Sequence, residues 1–195
     1  MRQFIVHLVC VLWSTLSFSQ IHKEPYLLVS DSLWTKEIFQ FPIHFAKDID
    51  YTGFEDARFP PHWAKQNHAQ HWSYVFAWGI NAPKSPSKRE LQEKLTSYFD
   101  GLMNLVNKDK SITVPKTRVE LTRTQDFTYK GKVTLYDSFH SKTVRTLNLL
   151  IDIHACTQQE KHVIVFRFSP KAFDATIWND LKAVQLRDDC CAVSL

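Results

Sequence analysis

Apolar and polar positions recur with different periods along this chain, and those periods predict its elements. The first 19 residues carry the three parts of a secretory signal. Arg2 is a positive start, Phe4, Ile5, Val6, Leu8, Val9, Val11, Leu12 and Trp13 form an apolar run, and Ser17 and Ser19 put small residues before a cleavage point at Gln20. The run is shorter than the about 20 residues needed to span a bilayer. The expectation is a signal peptide over 1–19 and a single domain over 20–195. No second apolar run of spanning length follows, so no transmembrane segment is expected once the signal is removed.

Residues 32–80 are rich in aromatic side chains but lack a sustained period, and Pro42, Pro60 and Pro61 interrupt them. A long helix is excluded there. Trp72–Ile80, aromatic and β-branched, predicts a strand that stops before Asn81-Ala82-Pro83. Ser87 then stands three residues before Glu90, the spacing of a capping box. Leu91, Leu95, Tyr98, Phe99, Leu102 and Val106 follow at intervals of three and four, which predicts an amphipathic helix to about Asn107.

Beyond the helix the period falls to two. Thr117–Thr124 alternates, Tyr129-Lys130-Gly131 reads as a turn, and Lys132–Tyr136 is a further strand. Thr143–Cys156 is the longest strand, with Leu147, Leu149, Ile151, Ile153 and Ala155 on one face and Asn148, Leu150, Asp152, His154 and Cys156 on the other. A short polar turn leads to His162–Phe168. Ile177, Leu181 and Val184 share a face of a last helix, with Asp174 or Thr176 placed to cap it. The pattern predicts an α+β fold: an antiparallel sheet of about five strands, a long amphipathic helix on one face, a C-terminal helix and an irregular aromatic-rich N-terminal region.

Charge narrows the partners. The chain has 24 Lys and Arg against 20 Asp and Glu, a net charge of +4, about +3 without Arg2. The charges are evenly mixed, so a nucleic-acid-binding face is not expected. Three of the four cysteines persist after cleavage: Cys156, Cys190 and Cys191. Export would put them in an oxidising compartment, and an odd count leaves one thiol spare. The expected bridge joins Cys156 to a tail cysteine, assigned to Cys190, and closes a loop of roughly 35 residues worth about 3–4 kcal/mol.

Candidate chemistry is sparse. His62, His68 and His71 could supply three nitrogen ligands to zinc or copper, although their spacing is not that of HExxH. Asp152, His154 and Cys156 share a strand face, but same-face neighbours lie about 7 Å apart and run parallel, a poor geometry for a triad. Glu55, Asp56 and Arg58 read as an ion-paired surface loop. No GxSxG elbow and no phosphate-cradling glycine loop occurs, so no cofactor is expected. The tryptophan density is the least ordinary feature: Trp34, Trp63, Trp72 and Trp78 fall within one stretch. They are candidates for an aromatic ligand- or partner-binding surface, against the alternative of rings sealing a loop-rich core.

The runs Trp34–Pro42, Phe45–Trp63 and Trp72-Ser73-Tyr74, with a signal ending Ser-Phe-Ser before Gln, resemble small exported proteins of Bacteroidetes-type bacteria. The element order is similar, at the level of fold alone, to the helix-flanked sheets of PsbP/Mog1-type domains. The resemblance implies a periplasmic or extracellular location and assigns no residue a role. The leading expectation is an exported, non-enzymatic domain that binds a ligand or protein partner through its aromatic half. The rival is a periplasmic hydrolase or metal enzyme built on the histidine cluster or the Asp152/His154 face.

Overall fold

A computed structural model describes residues 25–195. The expected signal peptide and the cleavage point at Gln20 lie outside the described residues. In chain order the elements are β1 (Leu28–Val29), β2 (Thr35–Gln40), β3 (Gly53–Phe59), β4 (Tyr74–Asn81), α1 (Lys88–Val106), β5 (Arg118–Gln125), β6 (Thr128–Tyr136), β7 (Val144–Cys156), β8 (Lys161–Ser169), α2 (Ile177–Ala183) and β9 (Gln185–Leu186). The fold is α+β, with a large antiparallel sheet and, among the described residues, two helices.

The sheet has seven strands in the order β2-β3-β4-β8-β7-β6-β5. The chain enters at one edge and folds inward through β2, β3 and β4. Helix α1 then carries it across to the far edge. From there β5 to β8 fold inward again, and β8 closes the sheet against β4. A separate pair, β1 with β9, joins Leu28 to Leu186.

Seven strands replace the expected five because β2 and β3 arise within the stretch read as irregular. Strand β3 is nearly all buried, yet it contains Glu55, Asp56 and Arg58. Those charges suggested a surface loop, and the structure corrects that reading: all three are buried. Arg58 pairs with Asp56, and Asp56 Oδ2 accepts from the backbone N–H of Leu27 (2.7 Å) and Leu28 (2.9 Å). Buried charge survives where it is paired and hydrogen-bonded, and here it pins the chain leading into β1. A second correction concerns Gly131. It lies inside β6, paired with Leu121 and Leu149 and not in a turn, and glycine is needed there because a Cβ would sit 2.2 Å from the Glu120 carbonyl oxygen. The β5–β6 turn is at Asp126-Phe127, with Phe127 at a left-handed φ of 63°.

Helix α1 forms where the pattern places it. Ser87 accepts from the Glu90 N–H (3.2 Å) and Glu90 Oε2 accepts from the Ser87 N–H (2.8 Å), the reciprocal capping box. Its buried face, Leu91, Leu95, Tyr98, Phe99 and Met103, covers one side of the sheet. Register sets which strand residues meet it: Glu37, Ala57, Phe76, Phe166 and Ile151 form one lateral row, and Phe39, Glu55, Trp78, Ile164 and Ile153 the next. The opposite side is covered by Ile177, Trp178 and Leu181 of α2, by Leu27 and Leu28, and by the C-terminal turn. The sheet is therefore the middle of three layers.

Candidate ligand-binding site

A cavity of about 140 Å³ opens where β2, β3 and β4 meet α1 and the loops between them. Its floor is Trp72, Tyr74 and Tyr98, all buried. Its walls are the half-buried Phe39, Phe45, Phe59, Trp63, Leu102 and Phe139, and the exposed Glu37 stands at the rim. The half-buried walls bring the space to the surface.

Four of the ring pairs in the lining meet at steep angles, while Phe59 stacks on Tyr74 at 21°. Trp63 lies at 89° to Trp72 and at 87° to Phe139. Phe45 lies at 76° both to Phe39 and to Tyr98. These edge-to-face contacts are the favoured geometry for aromatic pairs, and they box in the space from several directions.

Each wall is held by a distinct local device. Strand alternation aims Glu37, Phe39 and Phe59 to the α1 side of the sheet. Phe45 rides on the loop from β2 to β3, which crosses α1 at Gly101. A Cβ on Gly101 would lie 1.7 Å from the Phe45 carbonyl oxygen. Glycine inside a helix costs about 1 kcal/mol against alanine, and here it admits the loop that supplies a wall.

Trp72 takes a left-handed φ of 55°, an outlier for so bulky a residue. Its N–H donates to the Trp63 carbonyl (2.9 Å) and its indole Nε1 donates to Asp137 Oδ2 (3.1 Å). Asp137 is fully buried and also accepts from the N–H groups of Phe139 (3.1 Å), His140 (2.9 Å) and Ser141 (3.1 Å). Burial pushes this carboxyl up, but those hydrogen bonds outweigh it and hold it below its ordinary value. Asp137 thus fixes both the floor at Trp72 and the wall at Phe139.

Behind the floor lies a second carboxyl. Glu55 is fully enclosed. Its Oε2 accepts from Trp78 Nε1 (2.7 Å) and its Oε1 from the Tyr98 hydroxyl (2.9 Å). Burial pushes Glu55 up to about 7 despite these donors. At the rim, partial burial raises Glu37 from its ordinary value.

The four tryptophans singled out by sequence separate. Trp63 and Trp72 line the cavity. Trp78 is buried beside it and serves Glu55. Trp34 belongs to the other side of the sheet, packed with the α2 layer. Phe139 and His140 were missed, since they sit in a turn some 70 residues from Trp72 and carry no periodic signal; only Asp137-Ser138, a turn-forming pair, marks the place.

The three histidines are not brought into one ligand set. His62 and His68 are neighbours, with ring centroids 4.3 Å apart. His71 instead turns inward, its Nδ1 3.1 Å from the Trp63 carbonyl oxygen and its ring 5.2 Å from that of His140. Burial first, then the charges of Arg145 and His140, lower its pKa. Among the described residues, the group of three potential metal donors within mutual reach is His154, Cys156 and Cys191. Its sulfurs are bonded to each other, so neither is the thiolate a metal requires. The bridge joins Cys156 to Cys191, with Cα atoms 5.4 Å apart. The expected partner, Cys190, is instead buried and free: the 3-10 turn over Cys190–Ala192 points adjacent side chains in different directions.

Asp152 faces Arg167, which donates to it at 2.6 Å and also to the carbonyls of Leu181 (3.0 Å) and Val184 (3.2 Å). The guanidinium satisfies the open end of α2, and Asp152 steadies it. No protein-family model, curated protein or solved structure matches the chain. Among the described residues, no helix is long and apolar enough to cross a membrane.

Proposed function

We propose that the protein is an exported binding domain that takes a small apolar group of a ligand into the aromatic cavity. The observation that carries this reading is a void with a buried ring floor, half-buried ring walls and an open mouth. A native core closes such gaps, since each unfilled space forfeits packing. An apolar cavity of about 150 Å³ suffices to hold benzene, so about 140 Å³ suits one small ring or branched alkyl head. The left-handed Trp72 supports the same reading, because strained backbone concentrates at sites that hold a ligand.

Binding is favoured over hydrolysis because the residues a hydrolase would use are otherwise engaged. Asp152 is paired with Arg167, Cys156 is in a disulfide, and His71 is separated from His62 and His68. Export draws support from the pattern over residues 1–19 and from the Cys156–Cys191 bridge, a bond typical of oxidising compartments.

Saturation-transfer NMR with benzyl alcohol tests the cavity. Ring protons of the probe should receive saturation from the wild type, and Trp63→Ala should abolish the transfer. Equal transfer in both proteins would place the probe elsewhere and overturn the reading.

A further inference from the structure

Among the described residues the cavity lining has one formal charge, the carboxylate of Glu37, and no lysine, arginine or histidine joins it there. Glu37 shares its strand face with Phe39, so it projects over the same space. No hydrogen bond or ion pair with another described residue engages it. Its field reaches inward: after burial, the nearby Glu37 charge is among the influences that raise both Glu55 and Tyr98.

A neutral apolar ligand would cover that carboxylate without compensating it, which is unfavourable. The ring faces act in the same direction, since each presents a negative quadrupole. A hard metal ion is a poor fit, because it requires six or so oxygen ligands and the walls are carbon. A primary ammonium is strongly hydrated and needs hydrogen-bond acceptors that rings do not supply. An alkylated ammonium gives up little hydration, has methyl groups that pack on rings, and carries the charge that Glu37 lacks.

We infer that the cavity recognises a small quaternary ammonium head, with Trp63, Trp72, Tyr74 and Phe139 around its methyl groups and Glu37 as the counter-charge at the mouth. This inference rests on the ligand-binding reading and names the class of ligand for the same site.

Calorimetric titration at neutral pH and low salt compares choline with its neutral carbon isostere, 3,3-dimethylbutan-1-ol, on the wild type and on Glu37→Gln. Glu37 is exposed on an edge strand, so the variant keeps the fold. Choline should bind the wild type about tenfold more tightly than the isostere. Glu37→Gln should weaken choline by a similar factor and leave the isostere no weaker. Equal binding of the two compounds to the wild type would overturn the cation preference and leave the cavity reading standing. Choline affinity that survives Glu37→Gln would overturn the role of Glu37 as counter-charge, and with it the inferred recognition. Failure of both compounds to bind would overturn the ligand-binding reading, and the inference with it.

Discussion

The indole Nε1 of Trp72 donates to the buried carboxylate of Asp137 at 3.1 Å, across 65 residues of sequence. This bond ties the cavity floor to the turn that supplies the Phe139 wall. Asp137→Asn keeps the volume but halves the accepting capacity of a group that serves several buried donors. The substitution should cost about 2–3 kcal/mol, read from urea unfolding, and should weaken probe binding as Phe139 loosens. Unchanged stability would show that the turn is held by other contacts.

Gly101→Ala probes the opposite wall. The new methyl would press on the Phe45 carbonyl, so helix or loop must move. The intrinsic gain of alanine in a helix, about 1 kcal/mol, should be reversed into a net loss of about 1–3 kcal/mol, as overpacking does. A variant more stable than the wild type would mean the loop yields freely. By contrast, Leu95→Ala on the fully buried stripe of α1 should cost about 2–4 kcal/mol by leaving a cavity.

Glu55 makes stability depend on pH in a defined direction. Its folded carboxyl sits at about 7, against an ordinary 4.5. The folded state therefore holds the proton more tightly than the unfolded chain. The stabilising contribution is fully present below pH ~4.5 and is lost as pH rises through about 7, roughly 3 kcal/mol in all. The urea midpoint of the wild type should fall between about pH 5 and about pH 8, and Glu55→Gln, which cannot titrate at this position, should lose most of that fall. Parallel profiles for the two proteins would show that Glu55 is not the titrating group.

The disulfide makes a separate prediction. Peptide mapping without reduction should recover Cys156 joined to Cys191, with Cys190 alkylated only after unfolding because it is buried. Breaking the bridge should cost about 4 kcal/mol for a loop of this length. A fragment joining Cys156 to Cys190 would overturn the pairing.

Much of the fold was legible where one physical signal dominated. Helix α1 announced itself through the Ser87–Glu90 spacing and a clean apolar stripe, and β7 through an alternation from Leu147 to Ile153 broken only at Leu150. Strand β3 hid because its buried positions hold Glu55, Asp56 and Arg58, whose partners at Trp78, Tyr98, Leu27 and Leu28 are distant in sequence. Gly131 misled because glycine for close packing and glycine for turning look alike in a string of letters. The aromatic richness of residues 34–78 pointed to the right region but could not sort its tryptophans by sheet face, because Trp34, Trp63 and Trp72 lie outside the strands, where alternation assigns no face. The choice of Cys191 over Cys190 depended on the turn that presents them, which no spacing rule encodes.

Ligand entry at Trp63 and Trp72 can be read directly from their indole signals. Each tryptophan contributes one indole N–H resonance, and the described indoles are distributed over the fold: Trp63 and Trp72 at the cavity, Trp78 beside it, and Trp34 and Trp178 on the other side of the sheet. Two-dimensional NMR of nitrogen-15-labelled protein, titrated with choline and with 3,3-dimethylbutan-1-ol in turn, reads all of them at once. Ligand entry at this cavity should give saturable shifts of the Trp63 and Trp72 signals while Trp34 and Trp178 stay still. Signals of Trp63 and Trp72 that remain fixed under both probes, or shifts confined to Trp34, would contradict it.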